Sequence, residues 1–217
     1  MKPSIASALM LTAVLSSGCA FIRLTGQTDS APNANVYCAA NRLPANLRRV
    51  AVLPVTCDDN LQAEAGRDAL QPVLLAELAK TAAFEVVPLG REQLRAITGQ
   101  SEWAANEVLP GDLLSRLRAA TGCDAVLFCH LRQFRAYPPL AVGWDLKLVD
   151  AGQRSVLWAV DEVFDAGDPA VARAAAQYFA RAEQRSAIAS DPDSILMSPR
   201  LFGQYAAASS FAALPAH

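Results

Sequence analysis

Few side chains in this sequence are typed and spaced for catalysis. Only two histidines occur, His130 and His217, and the second is the last residue. Cys129 and His130 are adjacent, and a cysteine with a histidine supplies a nucleophile and its base. Both fall in a run, 124–131, that reads as a strand, where neighbouring side chains point to opposite faces. Without a bulge the two cannot meet. Asp58 and Asp59 form a second candidate pair, able to hold a cation or do acid–base work. Such residues also serve to satisfy the amides of a turn or a helix start. The phosphate-cradling glycine loops, the Gly-x-Ser-x-Gly elbow and the His-Glu-x-x-His zinc motif do not occur. The reading is therefore of no catalytic residue, no metal, no cofactor and no enzyme.

The cysteine with the clearest chemistry is Cys19. Lys2 supplies a positive start, Ile5 to Leu15 a short apolar core, and Ser16, Ser17 and Gly18 a run of small residues directly before it. An apolar core of about eleven residues fits a secretory signal and is too short to span a bilayer. The whole resembles a bacterial lipobox, with Leu15 one place further from the cysteine than the commonest spacing. That resemblance implies cleavage behind Gly18 and acylation of Cys19. Several acyl chains together give a stable anchor where one alone holds marginally. Ala20, which is not acidic, implies the outer membrane and its periplasmic face. Loss of residues 1–18 removes one positive charge, Lys2, and takes the formal net charge from −2 to −3.

Four further cysteines remain, Cys38, Cys57, Cys123 and Cys129, and an oxidising periplasm permits three full pairings among them. With 53% hydrophobic and 18% charged residues, the chain has a globular balance. Its 19 Lys and Arg against 21 Asp and Glu, without runs of like charge, exclude a nucleic-acid footprint.

These residues need elements to hold them. Residues 1–18 are expected as signal peptide, 19–46 as lipid anchor and flexible tether, and 47–217 as one periplasmic domain. The tether reading rests on the Thr-, Ser-, Gly-, Asn- and Pro-rich stretch 25–35. The apolar run Val50 to Val55 predicts a strand buried on both faces. Leu70, Val73, Leu74 and Leu78 predict a helix over 63–80, with Pro72 starting a second piece or a kink. A strand over 84–88 and a helix over 91–97 follow. Leu113, Leu114 and Leu117 mark the next helix, with Gly122 as its cap. Trp144, Leu146 and Leu148, then Val156, Trp158 and Val160, alternate around the turn 151–154 as a hairpin, both tryptophans facing the core. Asp168-Pro169 and Ser198-Pro199 open two last helices. The fold class is α/β, a single domain with a mixed sheet of about five strands, including a C-terminal antiparallel hairpin, flanked by helices.

Arg49 to Pro54, Phe84 to Val87 and Thr121 to Leu127, in that order, resemble the curli-secretion (CsgG-like) lipoprotein superfamily, with its penicillin-binding-protein activator relatives. The fold also resembles the amino-terminal domain of TolB. The resemblance covers about residues 48–165. It implies a non-enzymatic envelope lipoprotein that assists assembly, secretion or activation, some members forming rings. A membrane-crossing strand needs about nine to eleven residues. The roughly four-residue connection between the hairpin strands leaves no room for one, so a channel is not expected.

The expected function is thus a binding or assembly accessory, lipid-anchored to the membrane, with an envelope protein or polymer as partner. Trp103, in the irregular stretch 100–111, and Tyr137 with Pro138 are the candidate partner contacts, since loop aromatics anchor partners well. The alternatives are a homo-oligomeric ring of an export system, packed through a sheet edge or through the alanine-rich helices at 170–182 and 206–213, and a hydrolase using Asp58 and Asp59.

Overall fold

The computed structural model describes residues 35–104, 106–183 and 192–217. In chain order the elements are β1 (Val36–Cys38), β2 (Arg49–Val52), β3 (Thr56–Cys57), α1 (Leu61–Lys80), β4 (Glu85–Pro88), α2 (Arg91–Thr98), α3 (Leu113–Thr121), β5 (Ala125–Arg135), β6 (Ala141–Asp150), β7 (Val156–Asp165), α4 (Pro169–Glu183), a 3-10 turn (Pro192–Met197) and α5 (Pro199–Ala212). Seven strands form one mixed sheet in the order β1-β7-β6-β5-β2-β4, with β3 also on β5. β4, β2 and β5 run parallel, whereas β5, β6, β7 and β1 pair antiparallel.

The fold class is the expected one, with more strands than expected. Two additions, β3 and β1, account for the difference. The run Val50 to Val55 is not one strand throughout: β2 ends at Val52, and β3 begins just after the run at Thr56, both on β5. Val52 pairs with Leu127 and Thr56 with His130, four residues along one chain against three along the other. Pro54 sits in the extra segment, where its lack of an N–H costs no ladder bond. The other addition, β1, corrects the tether boundary. Val36 to Cys38 pair with Val160 to Trp158, and Leu43 and Leu47 are buried in the core. Leu43 N–H also donates to the carbonyl of Ala216 at 2.9 Å. Three well-spaced apolar residues dock this stretch although its composition is polar.

Helix α1 shows a further difference, for Pro72 neither starts a second piece nor divides it. A mid-helix proline forfeits one backbone bond. Burial of Leu70, Val73, Leu74 and Leu78 on either side of it offsets that loss. Asn60 caps the start, its Oδ1 accepting from Ala63 N–H at 2.8 Å. Gly203 lets α5 approach α1 closely, since a Cβ there would lie 2.3 Å from Leu70 Cδ2.

α1, α4 and α5 cover one sheet face, over a core that holds Trp144, Trp158, Phe202, Tyr205 and Phe211. Both tryptophans lie in the core as expected. Among the described residues, the second face is covered over its parallel half and the adjoining end of β6. There Leu94 of α2 and Leu113 and Leu117 of α3 pack on Ala51, Val126 and Phe128. Gly122 ends α3 in the left-handed conformation, at φ 68°.

Candidate functional site

Most chemically able side chains gather at the carboxyl edge of the parallel strands. β3 brings Thr56, Cys57 and, just beyond, Asp58 alongside His130 on β5. The Thr56 hydroxyl lies 2.9 Å from His130 Nδ1 and 3.3 Å from the carbonyl oxygen of Cys129. Asp58 Oδ1 is 3.7 Å from His130 Nε2, which is an electrostatic contact and not a hydrogen bond. Asp59 is exposed, and the helix start beside it is capped by Asn60. Among the described residues no three His, Cys, Asp or Glu side chains converge as a metal set.

Neither nearby thiol is activated. Burial pushes the Cys57 thiol up, and the Arg67 guanidinium, with Nη1 at 3.7 Å from Sγ, only partly opposes this. Full burial pushes the Cys129 thiol up strongly, with Asp145 adding to the effect. The thiolate is the nucleophilic form, so both positions are poor nucleophiles. Cys129 faces the core while His130 turns to the other face toward Thr56, as strand alternation requires. All four described cysteines are free thiols.

Of the candidate contacts, Trp103 is corrected. It is 6% exposed, packs with Leu94, Leu113 and Leu117, and its Nε1–H donates to Thr98 Oγ1 at 3.0 Å. The irregular stretch folds back as a cover for the core, so this indole presents no surface to a partner. Tyr137 is 75% exposed, and Pro138 is exposed beside it, on the loop joining β5 to β6. The base of that loop is held firmly. Arg135 donates to the carbonyl of Pro139 and, at 2.7 Å, to Asp165 Oδ1. The backbone N–H of Gly167, helped by Arg135 and opposed by burial, holds the Asp165 carboxyl below its ordinary range. An exposed aromatic on a fixed base suits a partner contact, because little ordering remains to be done on binding.

Beside that loop lies a surface the sequence reading did not single out. Among the described residues no helix packs on the second face of β6 and β7. Asp145, Lys147, Asp161 and Val163 stand on it, with Arg132 of β5 paired to Asp161. The polar residues alternating with Trp144, Leu146 and Leu148 are the signal that marks it. The alanine-rich helices, by contrast, spend their small faces inside the domain, with Ala175, Ala206 and Ala207 all buried. Cys19 lies outside the described residues, and no described helix is long and apolar enough to cross a membrane.

No protein-family model matches the chain, and no curated protein does. Among solved structures, the chain is similar to a PelC dodecamer from Paraburkholderia phytofirmans, with 12% identity, a TM-score of 0.47 and coverage of 84% of this chain and 99% of that one. It is similar to lipoprotein GNA1162 from Neisseria meningitidis, with 16% identity, a TM-score of 0.45 and coverage of 65% and 99%. TolB from Acinetobacter baumannii is a third, with 16% identity, a TM-score of 0.32 and coverage of 72% of this chain and 32% of that one.

Proposed function

We propose that this chain is the precursor of an exported lipoprotein, cut behind Gly18, acylated on Cys19 and held by that anchor at the periplasmic face of the outer membrane. There its α/β domain acts as a non-enzymatic binding or assembly accessory of the envelope. The observation that carries this reading is the order Lys2, apolar Ile5 to Leu15, small Ser16 to Gly18, then Cys19. The raised thiols of Cys57 and Cys129 and the exposed Tyr137 on its braced loop support binding over catalysis.

Two experiments test it in a bacterium that processes lipoproteins. The Cys19→Ala variant should leave the membrane fraction for the soluble periplasm while the unchanged chain stays with membranes. A photo-crosslinking residue placed at position 137 should capture the same envelope component reproducibly. Equal membrane retention of both forms removes the anchor, and crosslinks no different from those of an exposed position such as Leu61 remove the contact. Retained function after Asp58→Asn with Asp59→Asn removes the hydrolase alternative.

A second reading, a ring of identical copies, is favoured by one feature of β1. Asp161 N–H donates to Asn35 O and Ala39 N–H to Leu157 O. By the alternation of an antiparallel ladder, the backbone groups of Val36 and Cys38 point away from β7, toward open edge. A solution mass of one chain for residues 20–217 removes this reading.

A further inference from the structure

The chain leaves β2 and β4 in opposite directions. After β2 it passes to α1 on one face of the sheet, and after β4 to α2 on the other. Where neighbouring parallel strands part in this way, a crevice opens at their carboxyl ends, the usual ligand position in open α/β sheets. Here it is a cavity of about 290 Å³ between the two departing loops and α1. Its walls are apolar, with Leu53 and Val55 from one loop, Leu89 from the other and Leu74 from the helix, and Gly90 also lines it. Few polar groups converge on it. Gln71 Oε1 accepts from Val55 N–H at 3.0 Å, which leaves the amide nitrogen as the donor end. Arg91 follows Gly90 directly, and its Nη2 lies 3.5 Å from Val55 O while Nη1 holds Glu102 at 2.8 Å. Glu102 is itself a half-exposed carboxylate on a flexible stem, an exchangeable partner for that guanidinium. An apolar hollow with a guanidinium at its rim, already holding a carboxylate, is complementary to an apolar chain that ends in a carboxylate.

We propose that this cavity binds a small acyl-type carboxylate, its chain against Leu53, Leu74 and Leu89 and its head on Arg91 in place of Glu102. The site is independent of the anchor and stands whether or not Cys19 is acylated. The test titrates residues 20–217 with decanoate and, separately, with 1-decanol, followed by calorimetry and by backbone amide shifts. Gly90→Leu is the principal variant. Its φ of −78° suits any residue, and a Cβ there meets nothing within 4 Å, so the side chain can plug the mouth without strain. Saturable decanoate binding that shifts the amides of residues 52–55 and 88–90 is expected. It should weaken about tenfold or more in Gly90→Leu and in Arg91→Gln, and tighten in Glu102→Gln, each with an unchanged melting temperature; 1-decanol should bind about tenfold more weakly than decanoate. No saturable binding, or binding that both Gly90→Leu and Arg91→Gln leave intact, overturns the site. Equal affinity for 1-decanol overturns the carboxylate. Should Gly90→Leu lower the melting temperature, Arg91→Gln, on a half-exposed side chain, decides alone.

Discussion

The second face of the sheet is really two regions. Over β4, β2, the first half of β5 and the adjoining end of β6 it is dry, covered by α2 and α3; over the rest of β6 and β7 it is wet, with no described helix on it. The residues differ accordingly. Ala51 and Leu53 are buried on one face and Val50 and Val52 on the other, a continuous apolar run. On β6 the pattern alternates, Trp144, Leu146 and Leu148 inward against Asp145 and Lys147 outward. A strand covered twice must be apolar throughout, and a strand covered once need be apolar only at every second place. The difference teaches where each kind of contact can sit. The dry half ends at the strand termini in an apolar hollow, the proposed place for a small ligand. The wet half carries Asp145, Lys147, Asp161 and Arg132, and Tyr137 stands on the loop that leads into it.

Substitutions can break this division, and the largest effect is expected where the cover is dry. Leu117→Ala, wholly buried beneath α3, should lose about 2–5 kcal/mol, read by urea unfolding. Gly203→Ala drives a methyl into Leu70 and should cost about 1–3 kcal/mol, lowering the melting temperature. Asp165→Asn should have a small, acid-specific effect. The folded carboxyl titrates below its ordinary 3.8, so its stabilisation is complete above that pH and is lost as pH falls through the folded value. The variant should therefore lack that part of the acid-side fall, and added salt should shrink the difference, since the group is half-exposed. Val163→Ser, 38% exposed on the wet half, should stay within about 0.5 kcal/mol. A loss there as large as that of Leu117→Ala would mean that the wet half is covered after all.

Much of this division is legible in residue types. The alternation on β6 and β7, the Gly122 cap, and the proline-opened helices at Pro169 and Pro199 are local signals, and each element forms where its signal lies. What escapes is set by distant partners. The docking of Val36 is fixed by Val160, more than a hundred residues away. The break at Pro54 is a matter of register against β5, which no local pattern records. The burial of Trp103 depends on Leu94, Leu113 and Leu117 closing over it, and a polar neighbourhood hides that. The loop at Tyr137 and Pro138 is legible because a Tyr-Pro-Pro segment cannot continue a strand. The cavity between β2 and β4 is not legible, since it arises from the directions in which two loops depart.

The anchor is tested most directly by the mass of the amino-terminal peptide, taken from full-length protein made in a lipoprotein-processing bacterium. The account predicts a peptide that begins at Cys19 and carries the added mass of acyl chains. A peptide that begins at Met1, or an unmodified one that begins at Cys19 or later, would contradict it.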